Sequence, residues 1–232
     1  MADYYTLVTG LPWLPEQMEK CTQLPLSRIA LERRLTLLNE TDQKVLRSAE
    51  ALYHPSLSNM QPDQARVQAW QQQVDQLPSE TLRQVVGLRL EIQTLLAALR
   101  YRRRPDTQAE HFQGFGRWTQ WIRQHWKEPL FGLEGRLEFL EHWGELFAQG
   151  QTGDLQTQVD LYLWRQLLAV ERSHHFTLET VVCFVLRWGL AERRLRSDPD
   201  AALNEFQALG DALLQHSGIQ QRLTQLFEDS YR

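Results

Sequence analysis

Glu171 and His174 stand three residues apart, the spacing at which a carboxylate and an imidazole share one helix face in di-iron bundle half-sites. Such a site needs the motif twice and two further inward glutamates, and the chain has no second Glu-x-x-His. The alternative role for His174 and His175 is to end a helix, where partial imidazolium charge favours the carbonyl end. No His-Glu-x-x-His, His-x-x-x-His or paired-cysteine arrangement occurs, so no metal ligand set is expected. Cys21 and Cys183 are the two cysteines. They form no Cys-x-x-Cys pair, and Cys183 lies inside the apolar run 181–186, which predicts buried, reduced thiols. Gly114-x-Gly116 lacks the third glycine and the preceding strand of a dinucleotide fingerprint. With no phosphate loop and no Gly-x-Ser-x-Gly either, the reading is a non-catalytic protein without a cofactor.

Charge is patterned more sharply than these motifs. Glu134, Glu138, Glu141 and Glu145 recur at spacings of four, three and four, which sets four carboxylates on one helix face. This stripe is either a solvated face or a docking surface for a basic partner. Arg100, Arg102, Arg103 and Arg104 crowd around Tyr101 at the end of a long helical pattern. A helix C-terminus uses one or two such cations, and the remainder can grip acidic side chains, phosphates or anionic headgroups. Trp118 and Trp121 follow, and could stack on single-stranded nucleic acid, but their spacing of three fits a buried helix face better. The whole chain carries 25 basic and 29 acidic residues, a net charge of −4, which argues against a nucleic-acid binder.

The elements that position these residues read as helices almost throughout. The chain has 232 residues, 42% hydrophobic and 23% charged, enough for one large folded domain or two small ones. Residues 1–15, aromatic and broken by Gly10, Pro12 and Pro15, predict an extended segment. Ser27 opens a helix whose Ile29, Leu31, Leu35 and Leu38 share a face, and Thr41 caps a second that Pro55 ends. Pro62 and Asp63 start a polar surface helix carrying Val67, Trp70 and Val74. The clearest helix runs from Ser79 to Arg104, with an apolar face wide enough for a central core element. A helix over 133–149 stops at Gly150, Asp154 caps one to Glu171, Thr177 caps one to Arg196, and a final helix pair follows Pro199. No strand alternation or hairpin turn occurs, so the fold class is all-α. The turn at 149–153 divides residues 1–150 from 151–232 as two helical subdomains, unless the chain is one continuous domain. No run reaches the roughly 20 apolar residues of a bilayer span, and no signal peptide opens the chain, which predicts a cytoplasmic protein.

Three segments together carry a family resemblance. The opening Asp3-Tyr4-Tyr5-Thr6-Leu7-Val8-Thr9-Gly10-Leu11-Pro12, the central stretch Leu95 to Arg103, and the late stretch His175-Phe176-Thr177-Leu178-Glu179 to Leu186-Arg187-Trp188 resemble bacterial relatives of the C subunit of V/A-type rotary ATPases, called d in the eukaryotic enzyme. The resemblance implies helical subdomains arranged as a funnel, shortened here to a partial one. It also implies a non-catalytic central-stalk subunit, coupling the rotating shaft to the membrane proteolipid ring and held peripherally at the inner face of the cell membrane. Its partners would be the shaft subunits and the ring. It assigns interaction roles to Arg100, Arg102, Arg103 and Arg104, which match the family's basic helix end, and to Arg187, Arg193, Arg194 and Arg196 at the end of the late helix. Helix capping and pairing with the acidic stripe is the competing explanation for both groups. A generic α-helical adaptor or assembly factor for another membrane complex is the alternative function.

Overall fold

A computed structural model describes residues 4–54, 64–105 and 107–197, and among these the fold is all-α, with nine α-helices and no strand. The first is α1, Tyr4–Gly10, where an extended segment was expected. Tyr4, Leu7, Val8 and Leu11 already have helical spacing. Leu7 is buried, and the Tyr4 hydroxyl donates to Asp42 at 2.6 Å. Tertiary packing thus overrides the breakers, which end the helix after about two turns instead of preventing it.

Ser27 caps α2 (Arg28–Leu35), its hydroxyl accepting from the Ala30 amide. Leu31, Leu35 and Leu38 are buried as expected, but Ile29 points outward at 66% exposure. Helix α3 (Glu40–Tyr53) is capped by Asn39, whose Oδ1 accepts from the Asp42 amide, and not by Thr41. Asparagine caps at least as well as threonine. Helix α4 (Gln64–Asp75) buries Trp70 and Val74; the expected breaks at Pro55, Pro62 and Asp63 and the final helix pair lie outside the described residues.

The 23-residue α5 (Glu80–Arg102) buries Leu82, Val86, Leu90, Ile92, Leu95 and Leu99 and forms the central element. It contacts α3, α4, α6 (Trp118–Gln124) and α8. Helix α7 is Glu138–Ala148, five residues shorter at its start than the expected 133–149. Residues 129–132 form a one-turn 3-10 helix in which Leu130 (φ 45°) and Phe131 (φ 59°) are both left-handed, which breaks the approach to α7. Gly150 ends α7 at φ 76°. Helix α8 (Thr152–Ser173) starts before Asp154, which lies in its first turn, and packs along α9 (Leu178–Ser197). Buried side chains from both sides of the 149–151 turn belong to one continuous core.

Residues 11–26 run across α8 and α9 with little regular structure, so their carbonyls need donors from elsewhere. Arg187 supplies Pro15 O (2.7 Å), Trp164 Nε1 supplies Glu16 O (2.8 Å), Arg194 supplies Met18 O, and Trp188 Nε1 supplies Leu26 O (3.2 Å).

Candidate functional site

The four arginines at the end of α5 divide into two kinds. Arg102 Nη1 donates to Trp126 O (3.2 Å) and Glu128 O (2.6 Å), and its guanidinium lies 4.4 Å from the centroid of Phe131. Arg103 Nη2 donates to Phe147 O at 2.7 Å and lies 3.9 Å over the Phe147 ring. Both tie α5 to the 126–132 loop and to the last turn of α7, whose free carbonyls require donors. Arg100 and Arg104 are exposed, and among the described residues no hydrogen bond or ion pair engages either guanidinium. Within that set they are the two cations of the cluster without a partner.

The late arginines each have a partner within the chain. Arg187 is 2% exposed, bonds Glu171 at 2.7 Å, and lies 4.3 Å from the Trp164 ring centroid. Arg193 donates to His54 Nδ1 at 2.6 Å and sits 3.7 Å from Asp160. Arg194 holds Met18 O, and Arg196 pairs with Glu192 at 2.8 Å. None reaches the acidic stripe: their acceptors are Glu171, Asp160, Glu192 and main-chain carbonyls that lie far away in sequence.

Tyr53, His54, Arg89, Asp160 and Arg193 form a buried polar cluster where α3, α5, α8 and α9 meet. Arg89 donates to Tyr53 O at 3.1 Å. Burial, reinforced by Arg193, Arg89 and Arg28, lowers His54 from the ordinary imidazole range to about 3. Burial also raises the Asp160 carboxyl against the pull of Arg193 and Arg89. Two guanidiniums beside one carboxylate leave no room for a charged imidazole, so the cluster is built around neutral His54.

Glu171 and His174 do not converge. Glu171 faces Arg187, whereas His174 Nε2 lies 3.3 Å from Thr81 Oγ1 and its Nδ1 lies 3.1 Å from Val170 O. Among the described residues no group of three histidines, cysteines or carboxylates is placed to hold a metal ion, and no helix is long and apolar enough to cross a membrane. Cys21 and Cys183 are both free and buried. Trp118 and Trp121 are half-buried. Trp121 is stacked on His125 at 4.1 Å, has Arg136 at 4.1 Å from its centroid, and donates to Phe131 O at 3.0 Å. Its ring is committed to internal contacts. Gly114 and Gly116 let their loop pass against α5, where a Cβ at 114 would meet Thr94 Cγ2 at 2.3 Å and one at 116 would meet Glu91 Cγ at 2.5 Å.

In the acidic stripe, Glu138, Glu141 and Glu145 lie on α7, and Glu134 falls in the turn before it. All four are exposed, and among the described residues no arginine or lysine pairs with any of them; the His142 ring lies 4.0 Å from Glu145. Glu141 and Glu145 border a groove of about 380 Å³ between the end of α5, the 129–132 turn and α7, floored by Leu99, Leu130, Phe147 and Ala148. The sequence reading missed this groove, although Gly144 in the interior of α7 marks it. A helix-interior glycine costs about 1 kcal/mol against alanine and signals a close approach, here by Leu130, whose Cδ2 lies 2.4 Å from where a Cβ would stand.

A family model described as "Protein of unknown function (DUF2764)" matches residues 58–217. No curated protein and no solved structure matches the chain. The match takes in α4 to α9, including both arginine groups and the groove, while the clasped segment 11–26 precedes it.

Proposed function

This chain belongs to the DUF2764 family, whose description assigns no activity, and from that premise we propose that it is a non-catalytic central-stalk subunit of a V/A-type rotary ATPase. In this role it joins the rotating shaft to the membrane proteolipid ring and is held at the inner face of the cell membrane through the complex. The observation that carries the reading is the end of α5. There the segment Leu95–Arg103, which resembles the C subunit family, leads to Arg100 and Arg104, two guanidiniums without partners among the described residues, on a base that Arg102 and Arg103 make rigid. An exposed arginine fixed on a rigid helix end suits forked bonding to carboxylates of an acidic partner. The interaction role is therefore narrowed to Arg100 and Arg104.

The test is co-purification of the tagged full chain with rotary ATPase subunits from gently solubilised membranes of its source cells. Wild-type protein should retain shaft and ring subunits. Arg100→Glu with Arg104→Glu should retain about tenfold less, a loss of roughly 1.4 kcal/mol, with a thermal midpoint lowered by no more than a few degrees, because neither guanidinium has a partner among the described residues and only favourable charge at the helix C-terminus is lost. Absence of both shaft and ring, with intact ATPase present in the extract, would overturn the proposal. Recovery of a different membrane complex would identify an α-helical adaptor or assembly factor instead.

A further inference from the structure

The groove beside α7 combines three observations. Its floor is apolar, formed by Leu99, Leu130, Phe147 and Ala148, with Arg102 and Arg103 lining it at the end of α5. Its α7 wall carries Glu141 and Glu145, one turn apart and, among the described residues, without an arginine or lysine partner. Glu145 also lies in the last turn of α7, which contains no basic residue. Like charges four residues apart repel, and Glu145 opposes the helix macrodipole; Arg103 caps that end of α7 at Phe147 O and His142 lies 4.0 Å from Glu145, but among the described residues no arginine or lysine pairs with either carboxylate. Leu130 is held against α7 by a left-handed backbone (φ 45°) and by the missing side chain of Gly144. A left-handed leucine is a strained conformation, and such strain is kept where the surroundings fix it in place.

From these we infer that the groove receives an α-helix of a partner protein. The occupant presents an apolar ridge to Leu130 and Phe147, carries lysine or arginine one turn apart on the edge facing Glu141 and Glu145, and bears no basic residues on the edge facing Arg103. The basic edge neutralises the two carboxylates and the ridge fills the floor. This is the helix-in-groove mode of recognition. Residues 198–232 of the chain itself have the wrong charge, with six carboxylates against two arginines. The inference stands apart from the stalk assignment, because it names a second surface and a partner of opposite charge to the one that Arg100 and Arg104 would meet.

The probe is a fluorescent designed helical peptide with a leucine ridge, lysines along one edge and glutamines along the other. One ridge position is a photoreactive leucine. Binding to the full chain is read by anisotropy. The expected result is binding that weakens about tenfold with Glu141→Gln and Glu145→Gln together, stays within about twofold with Glu40→Gln and Glu110→Gln, and disappears when serine replaces the ridge leucines. Cross-links should map to Leu130, Phe147 or Ala148. Equal binding by the serine peptide, indifference to the Glu141 and Glu145 changes, cross-links elsewhere, or no binding at about 100 μM would each overturn the inference. A self-association of the wild-type chain that the same double change abolishes would assign the groove to a second copy, and would overturn it as well.

Discussion

The Arg187 guanidinium and the Glu171 carboxylate meet at 2.7 Å, with the arginine side chain 2% exposed and the glutamate 23% exposed. Arg187 also donates to Pro15 O and packs on Trp164, so one side chain binds α8, α9 and the N-terminal segment together. Arg187→Met should destabilise the fold by about 3 kcal/mol, because it leaves a half-buried carboxylate and a buried carbonyl without a donor. Arg187→Lys should not restore the loss, since one ammonium cannot reproduce the planar fork that reaches both acceptors. Urea denaturation followed by tryptophan fluorescence measures both.

Acid should weaken the cluster around His54. The native imidazole, at about 3, is depressed below its ordinary 6.5 by burial and by Arg193, Arg89 and Arg28. The unfolded chain therefore binds the proton more readily, and the contribution of neutral His54 is complete above pH 6.5 and is lost as the pH falls from there toward 3. Between pH 7 and pH 5 the stability of the wild-type protein should drop by about 1–2 kcal/mol more than that of His54→Asn, compared by denaturation at the two pH values. Identical pH slopes for the two proteins would remove the role given to this histidine.

The 112–117 loop should be intolerant of small changes. Gly114→Ala places a methyl against Thr94, which is fully buried and accepts from the Phe115 amide at 2.8 Å, and Gly116→Ala forces an alanine to φ 81° beside Glu91. Losses of about 1–3 kcal/mol at Gly114 and about 1 kcal/mol at Gly116 are expected. Thr94→Val, which keeps the shape but removes the acceptor of a buried amide, should cost about 1–3 kcal/mol. Thermal midpoints for the three variants decide the matter.

Neither thiol should react in the folded protein. Cys183 is wholly buried, and burial, with smaller contributions from Glu171 and Glu179, pushes its pKa up; Cys21 is also raised by burial and is 5% exposed. A charged maleimide should modify both only at the rate of opening, and should modify both rapidly in urea. Fast labelling of either thiol in native buffer would place a gap in the core that the packing does not contain.

Much of the helical framework is legible in the residues themselves. Ser27 as a cap, the length and apolar face of α5, and Gly150 as the stop of α7 follow from local chemistry that needs no knowledge of the rest of the fold. What escaped reading depends on residues distant in sequence. Helix α1 forms because Tyr4 finds Asp42 and Leu7 finds the core, and the start of α7 moves to Glu138 because Leu130 and Phe131 take left-handed backbone angles. The arginines illustrate the same limit. Their number and spacing are plain, but whether a guanidinium is spent internally depends on acceptors such as Pro15 O, 172 positions from Arg187, or Phe147 O, 44 from Arg103. The glutamates were read as a stripe, whereas the groove beside them is formed by three separate stretches of chain and was hinted at only by Gly144.

The clasp on residues 11–26 has a consequence for biogenesis. The donors to Pro15, Glu16, Met18 and Leu26 are Arg187, Trp164, Arg194 and Trp188, each synthesised about 150 or more residues after the carbonyl it serves. Pairings that distant close slowly, because the entropy of the intervening loop is lost before the contact is gained. On the ribosome residues 11–26 thus emerge long before their donors, and Leu14 and Met18 stay exposed to chaperones and proteases until α9 has left the exit tunnel.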